Sequence, residues 1–315
     1  MNVLMMCPAN VATGGVESIH KFAYELNKIK NMDVKIYYVN LKSSNPQPPE
    51  YAEYGIDYVT ELPEGYKDVI IFPDIWANRV NDEIYKDCIK AINWAGVDVY
   101  YWNNPIETQG DFLKQKDVIH LVQMQYAKDH LMERGVKENH IIHVSDVPNK
   151  LFYEDYEEVP RNNLVLFNPL KVTDFQRLVM NRAKGMNIAF KPLEHLTREQ
   201  MAQAMREAKL YIDFGVFSGR ERIPREAVLS GCCVLTSRSG CAEYYEDVAL
   251  DDKWKFEVSE PNNVANVLNT MLDILRHYDE CKNEFDSYRK SLRKDREDLP
   301  KDCKKIAKAF LGARK

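Results

Sequence analysis

A chain of 315 residues has room for two domains of ordinary size, and a composition of 45% hydrophobic and 29% charged residues is that of a folded globular protein, not a disordered one. A net charge of −5 offers no whole-chain basis for binding nucleic acid, and no apolar run approaches the length needed to span a bilayer. The seven cysteines form no C-x-x-C pair, which points to reduced thiols in a cytoplasmic protein, with no zinc site and no cofactor.

The opening MNVLMMCPA is too short and too soon interrupted for a signal peptide and reads as a first strand. Strands are expected at 2–7, 33–40, 68–72, 97–102, 118–123 and 140–144, with helices at 17–30 and 81–94. Strands separated by helices argue for parallel βαβ units, and runs such as VIIF suit strands buried on both faces. The acidic, proline-containing 151–163 has no periodicity and reads as a linker. A second series follows: strand 164–167, helix 175–183, strand 187–190, helix 197–208, strand 210–214, a phosphate-type loop, then strand 232–236. Thr197 followed by Gln200 is a capping box. The fold class is therefore α/β, with two Rossmann-like domains at 1–155 and 160–298 and a final helix over 299–315.

The most informative stretch is SGRERIPREAVLSGCCVLTSRSGCAE, 218–243. A basic loop with Gly219, Arg220, Arg222 and Arg225 runs into a helix that opens near Pro224 and carries Glu226 in its first turn. The helix stops at Gly231, a buried strand follows, and a second loop with Ser239 and Gly240 returns to the same edge. Free N–H groups and the helix dipole favour phosphate there, guanidinium groups add paired donors, and a carboxylate one turn in suits sugar hydroxyls. A nucleotide diphosphate joined to a sugar fits that pattern. The first half has its own polar loop, PANVATGGVES, where Gly14 and Gly15 precede a helix expected to start near Glu17 or Ser18. By itself this loop lacks both a dinucleotide fingerprint and a P-loop lysine.

With both loops in place, the chain resembles glycosyltransferases of the GT-B fold, two Rossmann-like domains facing each other across a cleft. EAVLSGCCV matches the E-A-x-x-x-G-x-x-V helix of the large retaining group at Glu226, Ala227, Gly231 and Val234, although Ser218 stands where that group has a second Glu. A closer resemblance is to bacterial surface-polysaccharide glycosyltransferases with D-F-G-x-H-P-G-K-D-R-x-P-R-E-A and H-L-x-Q-S-x-Y-A; this chain reads DFGVFSGRERIPREA and HLVQMQYA. Phe217-Ser218 replaces their His-Pro, Arg220 their Lys and Glu221 their Asp, while NPLK places Lys171 near the donor phosphates.

The resemblance implies transfer of a sugar from a nucleotide-diphosphate donor to a glycan or lipid-linked acceptor, with retention as the expected stereochemistry. Glu226, Arg225 and His120 are its catalytic candidates. Lys171, Gly219, Arg220, Arg222, Arg225, Glu226, Ser239 and Gly240 would bind the donor, and Gly14, Gly15 and Glu17 the acceptor or a phosphate. The acceptor would also face Trp102, Asn103, Asn104 and Pro105. No metal is implied. His120 opens an apolar strand, where a satisfied core histidine is the commoner fate, and Asp213 would hold its loop through backbone hydrogen bonds. The tail KDCKKIAKAFLGARK is basic and amphipathic, so contact with the inner face of the plasma membrane stands beside packing on the first domain. The alternative function is a catalytically silent GT-B protein that binds a nucleotide, glycan or assembly partner. A nicotinamide-dependent oxidoreductase is disfavoured because neither half carries G-x-G-x-x-G.

Overall fold

The structure, a computed structural model, describes residues 1–43, 45–103, 111–156, 159–260 and 262–314. The chain divides into two compact units, Met1–Val147 with Asp295–Lys315, and Pro148–Lys294.

The first unit is built on strands β1 (Asn2–Pro8), β2 (Asp33–Val39), β3 (Tyr58–Val59), β4 (Val69–Pro73), β5 (Ile89–Trp94), β6 (Val118–Val122) and β7 (Ile141–His143). They pair in the order β3-β2-β1-β4-β5-β6-β7, and every described pairing is parallel. The central strands are apolar along nearly their whole length because helices and short turns cover both faces. Helices α1 (Gly14–Asn27), α2 (Asp98–Asn103) and α3 (Gln125–Glu133) belong to this unit.

Two expectations fail here. Residues 81–94 are not a helix: a short 3-10 turn at Glu83–Tyr85 leads into β5. The run IKAINW is a short apolar stretch whose period cannot separate helix from strand, and pairing with β4 on one side and β6 on the other decides for strand. With that slot filled, 97–102 has no place in the sheet and forms α2. Helix α1 also opens earlier than expected, because Thr13 accepts a hydrogen bond from the Val16 N–H and starts the helix at Gly14.

The second unit holds β8 (Asn162–Phe167), β9 (Ala189–Pro192), β10 (Ala208–Asp213), β11 (Cys233–Ser237) and β12 (Lys255–Phe256), in the parallel order β12-β11-β10-β8-β9. Its helices are α4 (Asp174–Arg182), α5 (Arg198–Glu207), α6 (Arg222–Leu229), α7 (Asn263–Arg276) and α8 (Tyr278–Cys281). The capping box of α5 forms in both directions between Thr197 and Gln200. The segment 151–163 is no free linker. Tyr153 donates to the Leu292 carbonyl, and Tyr156 and Arg161 both donate to that of Ser230. Residues 157 and 158 lie outside the described residues.

The last helix, α9 (Asp286–Ala313), begins in the second unit and ends in the first. Its Leu299, Cys303, Ile306, Ala307 and Phe310 recur at helical spacing and are buried in the first unit's core with Val3, Met5, Phe22 and Leu26. Asp302 accepts hydrogen bonds from the Ser145 N–H at 3.1 Å and hydroxyl at 2.8 Å. The apolar side chains that a membrane foot would need are thus already buried, apart from Leu311. Among the described residues no helix is long and apolar enough to cross a membrane.

Candidate donor site at the strand ends of the second sheet

In an open parallel sheet, ligands collect beyond the carboxyl ends of the strands, where the strand order reverses. In the second sheet the chain runs from β8 outward to β9 and then returns to the other side of β8 as β10. The loops after β8 and β10 therefore flank the switch point, and they carry Lys171 and 214–221.

Lys171 lies in a 3-10 turn, Pro169–Lys171, capped by the Asn168 side chain on the Leu170 N–H. Its ammonium is 3.1 Å from Glu221 Oε2 and 3.6 Å from Asp213 Oδ2, and donates to the Val216 carbonyl at 3.2 Å. It also sits 5.1 Å from the centroid of the Phe217 ring. Asp213 ends β10 and is almost fully buried; it accepts from the Gly215 N–H at 3.0 Å and the Tyr211 hydroxyl at 3.3 Å. Burial pushes the Asp213 and Glu221 carboxyls up, and the Lys171 charge pulls both back toward ionisation. Gly215 makes the packing feasible, since a methyl group there would stand 3.0 Å from Lys171 Cε and 3.1 Å from Asp213 Oδ1.

The loop after β11 closes the other side. Ser237 donates to the Gly215 carbonyl at 2.5 Å and shares a hydrogen bond of 2.9 Å with Ser239. Ser239 Oγ accepts from the Phe217 N–H, and the Cys241 N–H donates to the Phe217 carbonyl. Gly240 takes a φ of 54°, the left-handed turn for which glycine is suited. Gly219 is buried and its carbonyl accepts from the Cys241 thiol.

The arginines do not form the open fan that their spacing suggests. Arg220 is 6% exposed and donates to the Asp247 carbonyl at 3.1 Å. Arg225 is 4% exposed and donates to the Glu221 carbonyl at 3.2 Å. Arg222, half-buried, pairs with Glu226 at 3.1 Å across one helical turn, and Glu226 itself is buried. Of the basic side chains in this loop, Arg222 is the more accessible, and Arg220 and Arg225 are built into the scaffold. Phe217, which stands where the resembled family has His, is buried and forms the floor beneath Lys171.

The first unit's candidates are dispersed. Gly14 and Gly15 open α1, where first-turn N–H groups lack intrahelical partners, and a side chain added at Gly15 would meet open space. Glu17 is fully buried, 3.1 Å from Lys21 and within 3.2 Å of the Tyr54 hydroxyl. His120 is also fully buried: Trp94 Nε1 donates to its Nδ1 at 3.1 Å, and its Nε2 lies 2.9 Å from the Leu113 carbonyl. The acceptor role of Nδ1 places the proton on Nε2, and burial holds the imidazole down at about 4. Both nitrogens of His120 are engaged in the core, which leaves neither directed to a ligand. Trp102 lies on α2 and is 66% exposed, whereas Asn104 and Pro105 fall outside the described residues.

Ser237 escaped sequence reasoning, since a serine at a strand end carries no motif. A depression of about 480 Å³ lined by Met180, Lys184, Ile188 and Phe190 opens beside the start of β9, the end of the strand where open sheets do not bind ligands. Among the described residues no group of three His, Cys, Asp or Glu side chains is placed to hold a metal ion.

No family model matches the chain, and no curated protein sequence does. Solved structures do. Sucrose-phosphate synthase from Thermosynechococcus elongatus superposes with a TM-score of 0.69 at 11% identity, covering 99% of this chain and all of that one. Anabaena HepE in complex with UDP and glucose gives 0.70 at 9% identity, again over 99% of this chain and all of that one. TarM gives 0.52 at 13% identity, over 78% of this chain and 54% of that one. The chain shares the fold of these proteins.

Proposed function

We propose that the protein is a glycosyltransferase that moves a sugar from a nucleotide-diphosphate donor to a glycan or lipid-linked acceptor, in the synthesis of a bacterial surface polysaccharide. The observation that carries this reading is Lys171 and the α6 N-terminus meeting at the switch point of the second sheet, in a chain that shares its fold with a protein solved with UDP-glucose. Breaking a sugar–diphosphate bond leaves negative charge on phosphate oxygens, and fixed cations and N–H dipoles aimed at that charge lower the barrier. Lys171, Arg222 and the N–H groups of Gly219 and Gly240 take the diphosphate in this reading. Glu226 takes the ribose hydroxyls. Arg220 and Arg225 hold the loop rigid from beneath, and Ser239 ties it to the loop after β11. The acceptor is assigned to the first unit, at Gly14, Gly15 and Trp102. The E-A-x-x-x-G helix supports retention.

Isothermal titration with UDP, GDP and CMP, with and without magnesium, tests the reading. Binding of a nucleoside diphosphate that weakens in Lys171→Met supports it; no binding of any nucleotide overturns it. Phe217 and Ser218 favour one second reading, a protein that binds the donor without transferring its sugar, because neither can supply the groups the resembled enzymes have at those positions. Nucleotide binding without donor hydrolysis or transfer across a broad acceptor panel would select it.

A further inference from the structure

An ammonium group has three N–H donors and no acceptor, so it can satisfy three partners. Lys171 has two within hydrogen-bond distance, Glu221 Oε2 at 3.1 Å and the Val216 carbonyl at 3.2 Å, and Asp213 Oδ2 adds an ion pair at 3.6 Å. A diphosphate oxygen gains the full charge of this ammonium only when one of the two carboxylates gives way. Asp213 is fixed, its carboxylate 2% exposed and tied to Gly215 and Tyr211. Val216 offers a backbone carbonyl inside a loop stitched to Ser237 and Ser239. Glu221 differs. Its backbone is pinned, the N–H to the Gly219 carbonyl at 2.8 Å and its own carbonyl to Arg225, yet its side chain keeps 23% of its surface in solvent.

We infer that Glu221 is a gate on the donor site: its carboxylate is paired with Lys171, and the donor's diphosphate displaces it. The inference rests on the donor-site reading above and adds a determinant of affinity to it. While in place, the carboxylate both occupies the cation and repels an incoming phosphate. Rotating about a fixed backbone, it can leave without disturbing α6. A ligand lacking a diphosphate cannot compete for Lys171, so the gate selects for diphosphate over neutral nucleosides.

The test is a double-mutant cycle read by calorimetry with UDP, GDP and inorganic pyrophosphate as probes, and uridine as the neutral control. Glu221→Gln keeps the shape and removes the charge; it is expected to tighten diphosphate binding about tenfold, equivalent to about 1.4 kcal/mol, and to leave uridine unchanged. Combined with Lys171→Met, the same substitution is expected to change affinity by less than about twofold, because the cation it releases is gone. A gain of equal size in both backgrounds would show a general charge effect and overturn the gate. So would unchanged or weaker diphosphate binding in Glu221→Gln. If nucleotides fail to bind but pyrophosphate binds and responds as described, the gate stands and the nucleotide-donor reading falls. If UDP binds and Glu221→Gln leaves it unchanged, the donor reading stands and the gate falls. No binding of any probe to any variant overturns both. Melting curves accompany each variant, and Glu221→Ala replaces Gln should the latter fail to fold.

Discussion

Replacing His120 separates a core histidine from a catalytic one. The imidazole is fully buried, stacked at 6.2 Å between ring centroids on Trp94 and hydrogen-bonded through both nitrogens. Burial, with a smaller contribution from His140, lowers it from 6.5 to about 4, while the hydrogen bond to Leu113 works the other way. Above pH 6.5 both the folded and the unfolded chain carry this histidine neutral, and its burial carries no ionisation penalty. Below that pH the unfolded chain takes up a proton that the folded one refuses. Stability is therefore lost as pH falls from about 6.5, and the loss is complete near pH 4. A drop of that size is worth about 3 kcal/mol.

His120→Gln cannot titrate. At pH 8 it should be less stable than the parent by about 1–3 kcal/mol, since the Trp94 N–H loses its fitted acceptor. The gap should then narrow as pH falls from 6.5 toward 4, because only the parent carries the proton-linked loss. Urea unfolding read by tryptophan fluorescence suits the purpose, as three of the four tryptophans, including Trp94, lie in the first unit. His20 and His130 are also lowered by burial, but they contribute equally to both proteins and cancel in the difference. A variant with the parent's stability at every pH, combined with a lost limb in the pH profile of sugar transfer, would refute the core assignment.

Three further outcomes follow from the packing. Gly231→Ala should lower the urea-unfolding free energy by about 2–4 kcal/mol: its φ of 92° disfavours a side chain, and the new methyl would collide with the Arg161 guanidinium, which holds the Met205, Ala208 and Ser230 carbonyls. An unchanged midpoint would mean that Arg161 is not a staple. Burial raises the Asp302 carboxyl, but hydrogen bonds from His143, Ser145 and Lys305 outweigh it and hold the group at about 2, so its contribution is present above about pH 4 and lost as pH falls toward 2. Discounted for its exposed partners, that is about 1–2 kcal/mol, and Asp302→Asn should remove the corresponding acid slope in unfolding; parallel curves would show that Asp302 does not clasp α9. Lys171→Met should weaken diphosphate binding by about 1.5–3 kcal/mol and also lower the melting temperature, since the buried Asp213 carboxyl loses its cation, and Arg225→Ala should lower the melting temperature through its lost bond to the Glu221 carbonyl. A parent-like melting temperature in Arg225→Ala would place Arg225 at the surface.

Much of the fold is legible in the chain because buried parallel strands are written as short unbroken apolar runs, as in NVLMMCP and VIIFP. The misreading of 81–102 has the same root. IKAINW and VDVYYW are equally short and both largely apolar, and only the vacancy between β4 and β6 selects the first as strand. The site was legible as a list of residue types and illegible as a set of directions. Spacing cannot say that Arg220 and Arg225 point down onto carbonyls while Lys171 and Arg222 keep access to solvent. Nor can it bring Lys171 to Glu221 across forty-nine intervening positions.

That contact is a product of topology. Because β10 returns to lie directly against β8, the first residues beyond each strand must share one small volume, and the residue types there decide what the volume can do. Asp213 spends one oxygen on Gly215 and turns the other toward Lys171 and Tyr211, which fixes both the loop and the cation. Phe217 then supplies a ring where the resembled proteins have an ionisable group, so the ammonium is positioned by an apolar floor and two carboxylates. One of those carboxylates is buried and permanent, and the other is half-buried, with 23% of its side chain in solvent. A cation held this way is pre-oriented, and its charge would become available to a phosphate through the more exposed of the two partners. Glu221 is that partner, and in the proposed reading donor binding turns on whether it yields.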